Sequence, residues 1–237
     1  MNVLAIGAHP DDVEINCGGT LLRCRDGGHE IFLVLMTSGN IGSNELASRE
    51  EIARTREAEQ LAAARLYDAQ VRFLRYDDEG LLDGPEVRRT LLNAIRWADP
   101  DVIFTHFPGD LSTDHNVTAQ LVSRVILSLS GKNVPADEPP IDKHPGIFYW
   151  DTPAGHHFQP EVYVDITGTF ERKLQAVSCH ESQFGWLGVL HPHKLLDRCA
   201  IQARFRGLQN GVEYAEGFRA CRMYGYMPDF SRLPLKA

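Results

Sequence analysis

Short apolar runs alternate with longer amphipathic stretches through the first half of the chain. Val3 to Ala8 is a continuous apolar run stopped by His9-Pro10, and Ile31 to Met36 is a second. Both are aliphatic and bounded by turn residues, as strands buried on two faces should be. Between them Gly18 to Asp26, carrying Leu21 and Leu22, predicts a short helix closed by Gly27-Gly28. Ala47 to Leu66 places Ile52, Leu61, Ala62 and Leu66 on one compatible face and predicts a second helix, followed by a strand over Val71 to Tyr76. Pro85 to Ala98 predicts a helix with proline at an opening position, Asp101 to His106 a fourth strand, and Asp114 to Leu129 a further helix. Such alternation predicts an α/β fold, a mostly parallel sheet with helices on both faces.

The rhythm breaks between Gly131 and Pro160, where Pro135, Pro139, Pro140, Pro145, Pro153 and Pro160 surround one strand-like run, Gly146 to Trp150. This stretch, 131–160, is expected to be a long, partly irregular segment over the edge or mouth of the sheet, serving as a lid or an interface. Glu161 to Ile166 then predicts a strand, Gly168 to His180 and Leu190 to Arg206 predict helices, and Tyr214 to Tyr226 resumes apolar alternation. There is no internal repeat and no low-complexity tract, so one domain over 1–237 is expected.

Composition narrows the partners. With 24 Lys and Arg against 32 Asp and Glu, the net charge of -8 lacks the basic footprint of phosphate-backbone binding, and nucleic acid is not expected as a partner. No stretch approaches the roughly 20 apolar residues that span a bilayer. The start, MNVLAIGAHPDD, runs from a short apolar strand into acid without a basic leader, which predicts a soluble, cytoplasmic protein. The five cysteines form no C-x-x-C pair, arguing against a disulfide framework or a thiolate zinc site. The ten histidines are the surplus that needs explaining.

His9-Pro10-Asp11-Asp12-Val13-Glu14 stands where the first strand ends, and in open parallel sheets ligands bind in the crevice at the carboxyl ends of strands. A dinucleotide site would need G-x-G-x-x-G here, whereas the turn offers carboxylates that repel pyrophosphate. An imidazole three residues before a carboxylate can converge on a cation, as His9 and Asp12 do here. Acids that simply offset a helix dipole account for this spacing equally well. Asp114-His115, after the fourth strand, breaks the tie, because its loop can face the first across the crevice and supply His115 as a third ligand. Asp114 is expected to cap the following helix. Asp11 is then the spare carboxylate beside the metal, placed to act as general base toward a metal-activated water, and the reaction class is metal-assisted hydrolysis of an amide or ester.

These residues resemble the PIG-L/LmbE-like zinc N-deacetylases of N-acetylglucosamine-type substrates. The likeness includes Ala8-His9-Pro10-Asp11-Asp12 with Glu14, Gly18-Gly19-Thr20-Leu21, Thr37-Ser38-Gly39, Arg56-Glu57-Ala58-Glu59 and Asp114-His115. It continues through Cys179-His180-Glu181-Ser182-Gln183 and Glu213-Tyr214-Ala215-Glu216-Gly217-Phe218, essentially the whole chain. The resemblance implies a Rossmann-like three-layer αβα fold, Zn(2+) on His9, Asp12 and His115, and Asp11 as the base activating a zinc-held water. Removal of acetate from an N-acetylated sugar conjugate follows, giving a free amine.

The family commonly carries a histidine three residues before its last ligand, and Ser112 occupies that position here. The candidates for the missing acid or oxyanion role are His180, ranked first, then His106, His156 and His157, or the metal alone. Arg56, with Arg49 and Arg54, Asp78 and Ser112 are candidate substrate contacts, and Tyr149, Trp150 and Trp186 can stack on a sugar ring. Another amide or ester, or a sugar-binding module that has lost turnover, is the alternative to deacetylation, and a homo-oligomer built on the proline-rich segment or the C-terminal aromatics is a further expectation.

Overall fold

The computed structural model describes residues 1–189, 193–223 and 228–234. The strands are β1 (Asn2–Gly7), β2 (Glu30–Thr37), β3 (Gln70–Tyr76), β4 (Val102–Thr105), β5 (Gly146–Trp150), β6 (Val162–Asp165) and β7 (Ala215–Ala220). The helices are α1 (Asp12–Asp26), α2 (Arg49–Ala64), α3 (Pro85–Ala98), α4 (Thr113–Val125), α5 (Phe170–Ser178), α6 (Ser182–Val189) and α7 (Leu195–Asn210). The strands form a single sheet ordered β3-β2-β1-β4-β5-β7-β6. β1 to β5 run parallel, and β7 alone opposes its neighbours β5 and β6.

The alternation of side chains across the strands builds two cores. Val3, Ala5, Leu33, Leu35 and Phe104 face α1, α5 and α7, packing with Cys17, Leu21, Phe170 and Ala203. Leu4, Ile6, Val34, Met36 and Ile103 face α3 and α4, packing with Leu92, Ile95, Leu121 and Val125. Both faces of the central strands are therefore dry, which is why their sequences read as unbroken apolar runs. The order 3-2-1-4-5 is that of a doubly wound Rossmann-like sheet, and its switch point lies between β1 and β4.

α3 begins on Pro85 and stops at Asp99, whose left-handed φ of 41° ends it. α2 starts at the side-chain cap of Ser48, an acceptor for the Glu51 N–H. α1 begins at Asp12, earlier than the predicted Gly18, because Asp12 and Glu14 already form its acidic first turn. α6 has no counterpart in the prediction: Gly185 and Gly188 interrupt its pattern, and its first turn is held from outside by Glu59, which accepts from Ser182 N and Oγ at 2.8 and 2.7 Å. Of the run predicted over Leu190 to Arg206, residues 190–192 lie outside the described residues, as do Tyr224 and Tyr226.

The segment 131–160 contains the strand expected within it, and that strand lies inside the sheet. Gly146–Trp150 is an interior strand, buried throughout between β4 and β7. The stretch before it packs Val134, Ala136 and Ile141 onto the α3/α4 core. Arg96 fastens that stretch, donating to the carbonyls of Ser128, Leu129, Gly131 and Glu138 at 2.9–3.2 Å. Gly146 N donates to Asp101 O, at the start of β4, so this part of the segment reaches the end of the sheet opposite the β1–α1 turn. All five cysteines are free. Among the described residues no helix is long and apolar enough to cross a membrane.

Candidate metal centre and its cavity

The β1–α1 turn and the β4–α4 loop meet at the switch point. Asp12 receives the His9 backbone N–H at 2.6 Å on Oδ2, leaving Oδ1 directed at His115 Nε2, 3.3 Å away. His9 lies 3.4 Å from Asp12 through Nδ1, and through Nε2 it lies 3.0 Å from Asp78 and 3.4 Å from Asp114. One donor atom from each of His9, Asp12 and His115 falls within 4.8 Å of the others. Asp114 Oδ1 is buried here without a hydrogen-bond partner. Two imidazoles and a carboxylate, crowded but loosely bonded, with a buried orphan oxygen alongside, form a donor set that fits a divalent cation such as zinc.

Electrostatics agree with this. Burial alone would depress the His115 imidazole, but the charge of Asp12 and the neighbouring Asp110 outweigh it and hold its pKa up at about 9. His9 is likewise raised, its burial outweighed by Asp114, Asp12 and Asp78. Asp12 is held well below the ordinary carboxylate range, because His115 and His106 outweigh its burial. Protons on these imidazoles supply the positive charge that the acids demand, a charge that a bound cation would supply in their stead. Asp110 Oδ2 stands 3.2 Å from His115 Nδ1, an ion-pair distance, although that nitrogen makes no hydrogen bond.

Asp11 is the N-cap of α1 and holds a φ of 115°, a left-handed conformation costly for a residue with a side chain. Its surroundings enforce it. Asp11 N donates to Gln60 Oε1 at 3.2 Å, and the Pro10 carbonyl accepts from Arg56 Nη2 at 2.5 Å. The same Arg56 nitrogen stands 3.4 Å from Asp11 Oδ1. Burial pushes the Asp11 carboxyl up to about 6, with Arg56 opposing and Asp12 adding. Arg56 itself is buried and also donates to Gly39 O at 3.0 Å. Gly39 has a φ of 58°, and a Cβ there would collide with the guanidinium, so glycine is required.

Asp11, Asp12, His9, His115, Arg56, Asp78 and Ser112 all border one cavity of about 340 Å³. The candidate substrate contacts Arg56, Asp78 and Ser112 are thus placed at the cavity. Arg49 instead pairs with Asp77 and Asn40 on the surface. Trp186 lines the cavity, whereas Tyr149 and Trp150 are core residues of β5.

The candidate proton-donating histidines fare differently. His180 is fully buried, 3.2 Å from Glu14 Oε2, and does not border the cavity. Glu14 accepts in turn from Gln60, which accepts from Asp11 N, and the His180 charge also acts directly on the Asp11 carboxyl, lowering its pKa. The Cys-His-Glu-Ser-Gln stretch placed it in a motif whose other polar groups anchor the α5–α6 corner: Ser182 to Glu59 and Gln183 Nε2 to Gly42 O. His106 is fully buried under His115, ring centroids 3.9 Å apart, and burial drops its pKa to about 4. His156 and His157 are exposed and pack against each other. Asp114 is no helix cap: Ser112 occupies the N-cap of α4, and the Asp114 carboxylate accepts from Glu79 N at 2.7 Å.

Sequence reasoning overlooked Asp110, whose position in a seven-residue loop gives no periodic signal. It also overlooked other charged residues that border the cavity, among them Lys173, Arg206, Asp151 and Glu216. Glu216 is part of the noted C-terminal motif, and its carboxylate accepts from Gly19 N, Thr20 N, Thr20 Oγ1 and Lys173 Nζ at 2.6–2.9 Å.

Residues 4–126 match the family described as PIG-L: GlcNAc-PI de-N-acetylase. The structure superposes on N,N'-diacetylchitobiose deacetylase from Pyrococcus horikoshii with a TM-score of 0.81 at 31% identity, covering 97% of this chain and 87% of that one. The diacetylchitobiose deacetylase of Thermococcus kodakarensis is 28% identical over 92% of this chain and 82% of its own length. A probable N-acetyl-alpha-D-glucosaminyl L-malate deacetylase 2 of Bacillus anthracis is 26% identical over 77% of this chain and 81% of its own.

Proposed function

This chain belongs to the PIG-L family, and from that premise we propose that it is a zinc-dependent N-deacetylase that hydrolyses the acetamido group of an N-acetylglucosamine-type sugar conjugate to acetate and a free amine. The observation that carries the reading is the convergence of His9, Asp12 and His115 at the switch point with Asp11 beside them, all on one cavity.

His9, Asp12 and His115 would hold the metal, with the Asp110 carboxylate 3.2 Å behind His115 Nδ1 as the charge that favours this ring in place. Zinc, when bound, supplies a positive charge that polarises the amide carbonyl and lowers the pKa of a water toward about 7. Asp11 accepts the proton of the attacking water. Its carboxyl, lifted by burial, is basic enough to take that proton and acidic enough to return it to the departing nitrogen. Arg56 and Gln60 keep the Asp11 turn in its strained conformation, so the carboxylate does not have to reorganise during the reaction. Ser112 borders the cavity at the position of the family histidine, and its hydroxyl makes no capping bond. His180 acts as a positioning residue through Glu14 and Gln60 rather than as a proton donor to substrate.

Metal analysis of the purified protein, paired with acetate release from N,N'-diacetylchitobiose and from N-acetylglucosamine conjugates, tests the reading. Activity is expected to vanish on chelation and to return with zinc, and His115→Ala should carry less than a tenth of an equivalent of metal. Turnover that survives metal removal, or a chain that binds acetamido sugars with zinc present and releases no acetate, would refute it.

A further inference from the structure

Of the four candidate histidines, His106 is the one that lies against the metal residues, and the groups around its ring fix where its proton sits. It follows β4, is fully buried, and does not border the cavity. Trp150, the last residue of β5, donates its indole N–H to His106 Nδ1 at 3.3 Å. Nε2 meets two groups, Asp12 Oδ2 at 3.2 Å and the Ala8 N–H at 2.9 Å. A ring with an N–H donor at each nitrogen keeps at least one lone pair and is neutral.

The place of its single proton follows from what each contact can accept. An indole nitrogen only donates, so a proton on Nδ1 would set two N–H groups against each other and turn the Nε2 lone pair toward a carboxylate. A proton on Nε2 satisfies both contacts: Nδ1 accepts from Trp150, and Nε2 donates to Asp12 Oδ2. The cost is the neutral bond from Ala8 N. The gain is a bond from the indole and one to a carboxylate, the latter roughly twice as strong as a neutral bond. Resting on the reading of Asp12 as a metal ligand, we propose that His106 is a positioning residue, held as the Nε2–H tautomer by Trp150 and fixing Asp12 so that Oδ1 is left for the metal. Oδ2 then receives two donors, His9 N at 2.6 Å and His106 Nε2, while Oδ1 stays directed at His115. The same ring stacks on His115 with centroids 3.9 Å apart and planes 24° from parallel, so it braces a second ligand. The line from Trp150 through His106 to Asp12 crosses the carboxyl ends of three neighbouring strands, β5, β4 and β1, and by it a core indole acts on the metal centre.

Long-range proton–nitrogen correlation spectra of protein carrying isotope-labelled histidine read the tautomer directly, with the His106 signals assigned through contacts to the Trp150 indole. Wild-type protein, metal-free and zinc-loaded, is expected to carry the His106 proton on Nε2 and none on Nδ1. A proton on Nδ1 overturns the proposal, and that measurement requires no variant to fold. Zinc affinity, from competition with a chromogenic chelator, gives the second reading. His106→Leu should weaken it about 10- to 100-fold, and Trp150→Phe, which keeps a ring and removes the N–H, up to about tenfold. His106→Gln, whose amide N–H can replace the donor to Asp12, should recover part of the loss. Tyr149→Phe removes a buried hydroxyl of the same strand whose partners are Ser123 and Cys221, and should leave the affinity unchanged. A histidine that only fills the core would lower the urea midpoint while leaving the Leu and Gln variants alike in zinc affinity, and that outcome also overturns the proposal. If wild-type protein takes up no zinc, the metal reading falls, and the tautomer in metal-free protein still decides whether His106 holds Asp12.

Discussion

Two clusters of buried charge border the cavity and treat that charge in opposite ways. In one, His9, Asp12, Asp78, Asp114 and His115 crowd together at 3.0–3.4 Å, and Asp114 Oδ1 is buried without a donor. In the other, the Glu216 carboxylate is saturated by four donors at 2.6–2.9 Å that tie β7 to α1 and α5. Both clusters are buried and ionisable, so burial and perturbed charge do not by themselves mark chemistry. The discriminating property is completeness. A closed network holds the fold together, while an open one is completed by what the protein binds.

Asp11→Asn tests the open cluster most severely. It should keep its metal, judged by stoichiometry, and lose about 10²- to 10⁴-fold in kcat; a loss under tenfold would remove Asp11 as the base. Glu216→Gln tests the closed cluster. It leaves Lys173 without its counter-charge and should cost about 3–5 kcal/mol in urea unfolding of the metal-free protein, with metal stoichiometry unchanged. If that variant instead loses metal at full stability, the division between the clusters is wrong. Asp110→Asn, one charge behind the centre, should weaken zinc affinity about 10- to 100-fold by competition with a chromogenic chelator. His180→Gln should be mildest, lowering kcat less than about tenfold. A fall beyond a hundredfold at unchanged KM, with one limb of the pH profile abolished, would return His180 to proton transfer.

Legibility in the sequence followed the range of the interactions. Pro85 and the caps around α2 and α3 act within a turn, so those helices were readable to within a residue or two. The apolar runs of β1 and β2 gave the doubly wound half directly. The insertion of β7 between β5 and β6 was not readable, because pairing of Phe148 with Ala220 and of Val162 with Phe218 joins segments with no local mark of their partner. The site divides in the same way. His9, Asp11 and Asp12 share one turn, and His115 could be placed once two strand ends were known to face each other. Asp110 lies in a loop without periodicity. Glu216 gives no local sign that its carboxylate meets Gly19, Thr20 and Lys173. For His180 the motif locates the residue without revealing whether it serves the substrate or the corner that supports it.

The strand order carries a consequence for how the molecule is made. β1 to β5 are complete by Trp150, and they bring with them both loops that carry His9, Asp12 and His115. β6 ends at Asp165, and its one neighbour in the sheet, β7, begins at Ala215. β6 is therefore without a sheet neighbour until the last strand is made, the exposure that edge strands carry in any sheet. That closing strand also brings Glu216, whose bonds to Gly19, Thr20 and Lys173 tie the end of the chain to α1 and α5. The piece that completes the sheet is thus the piece that locks the helices against it.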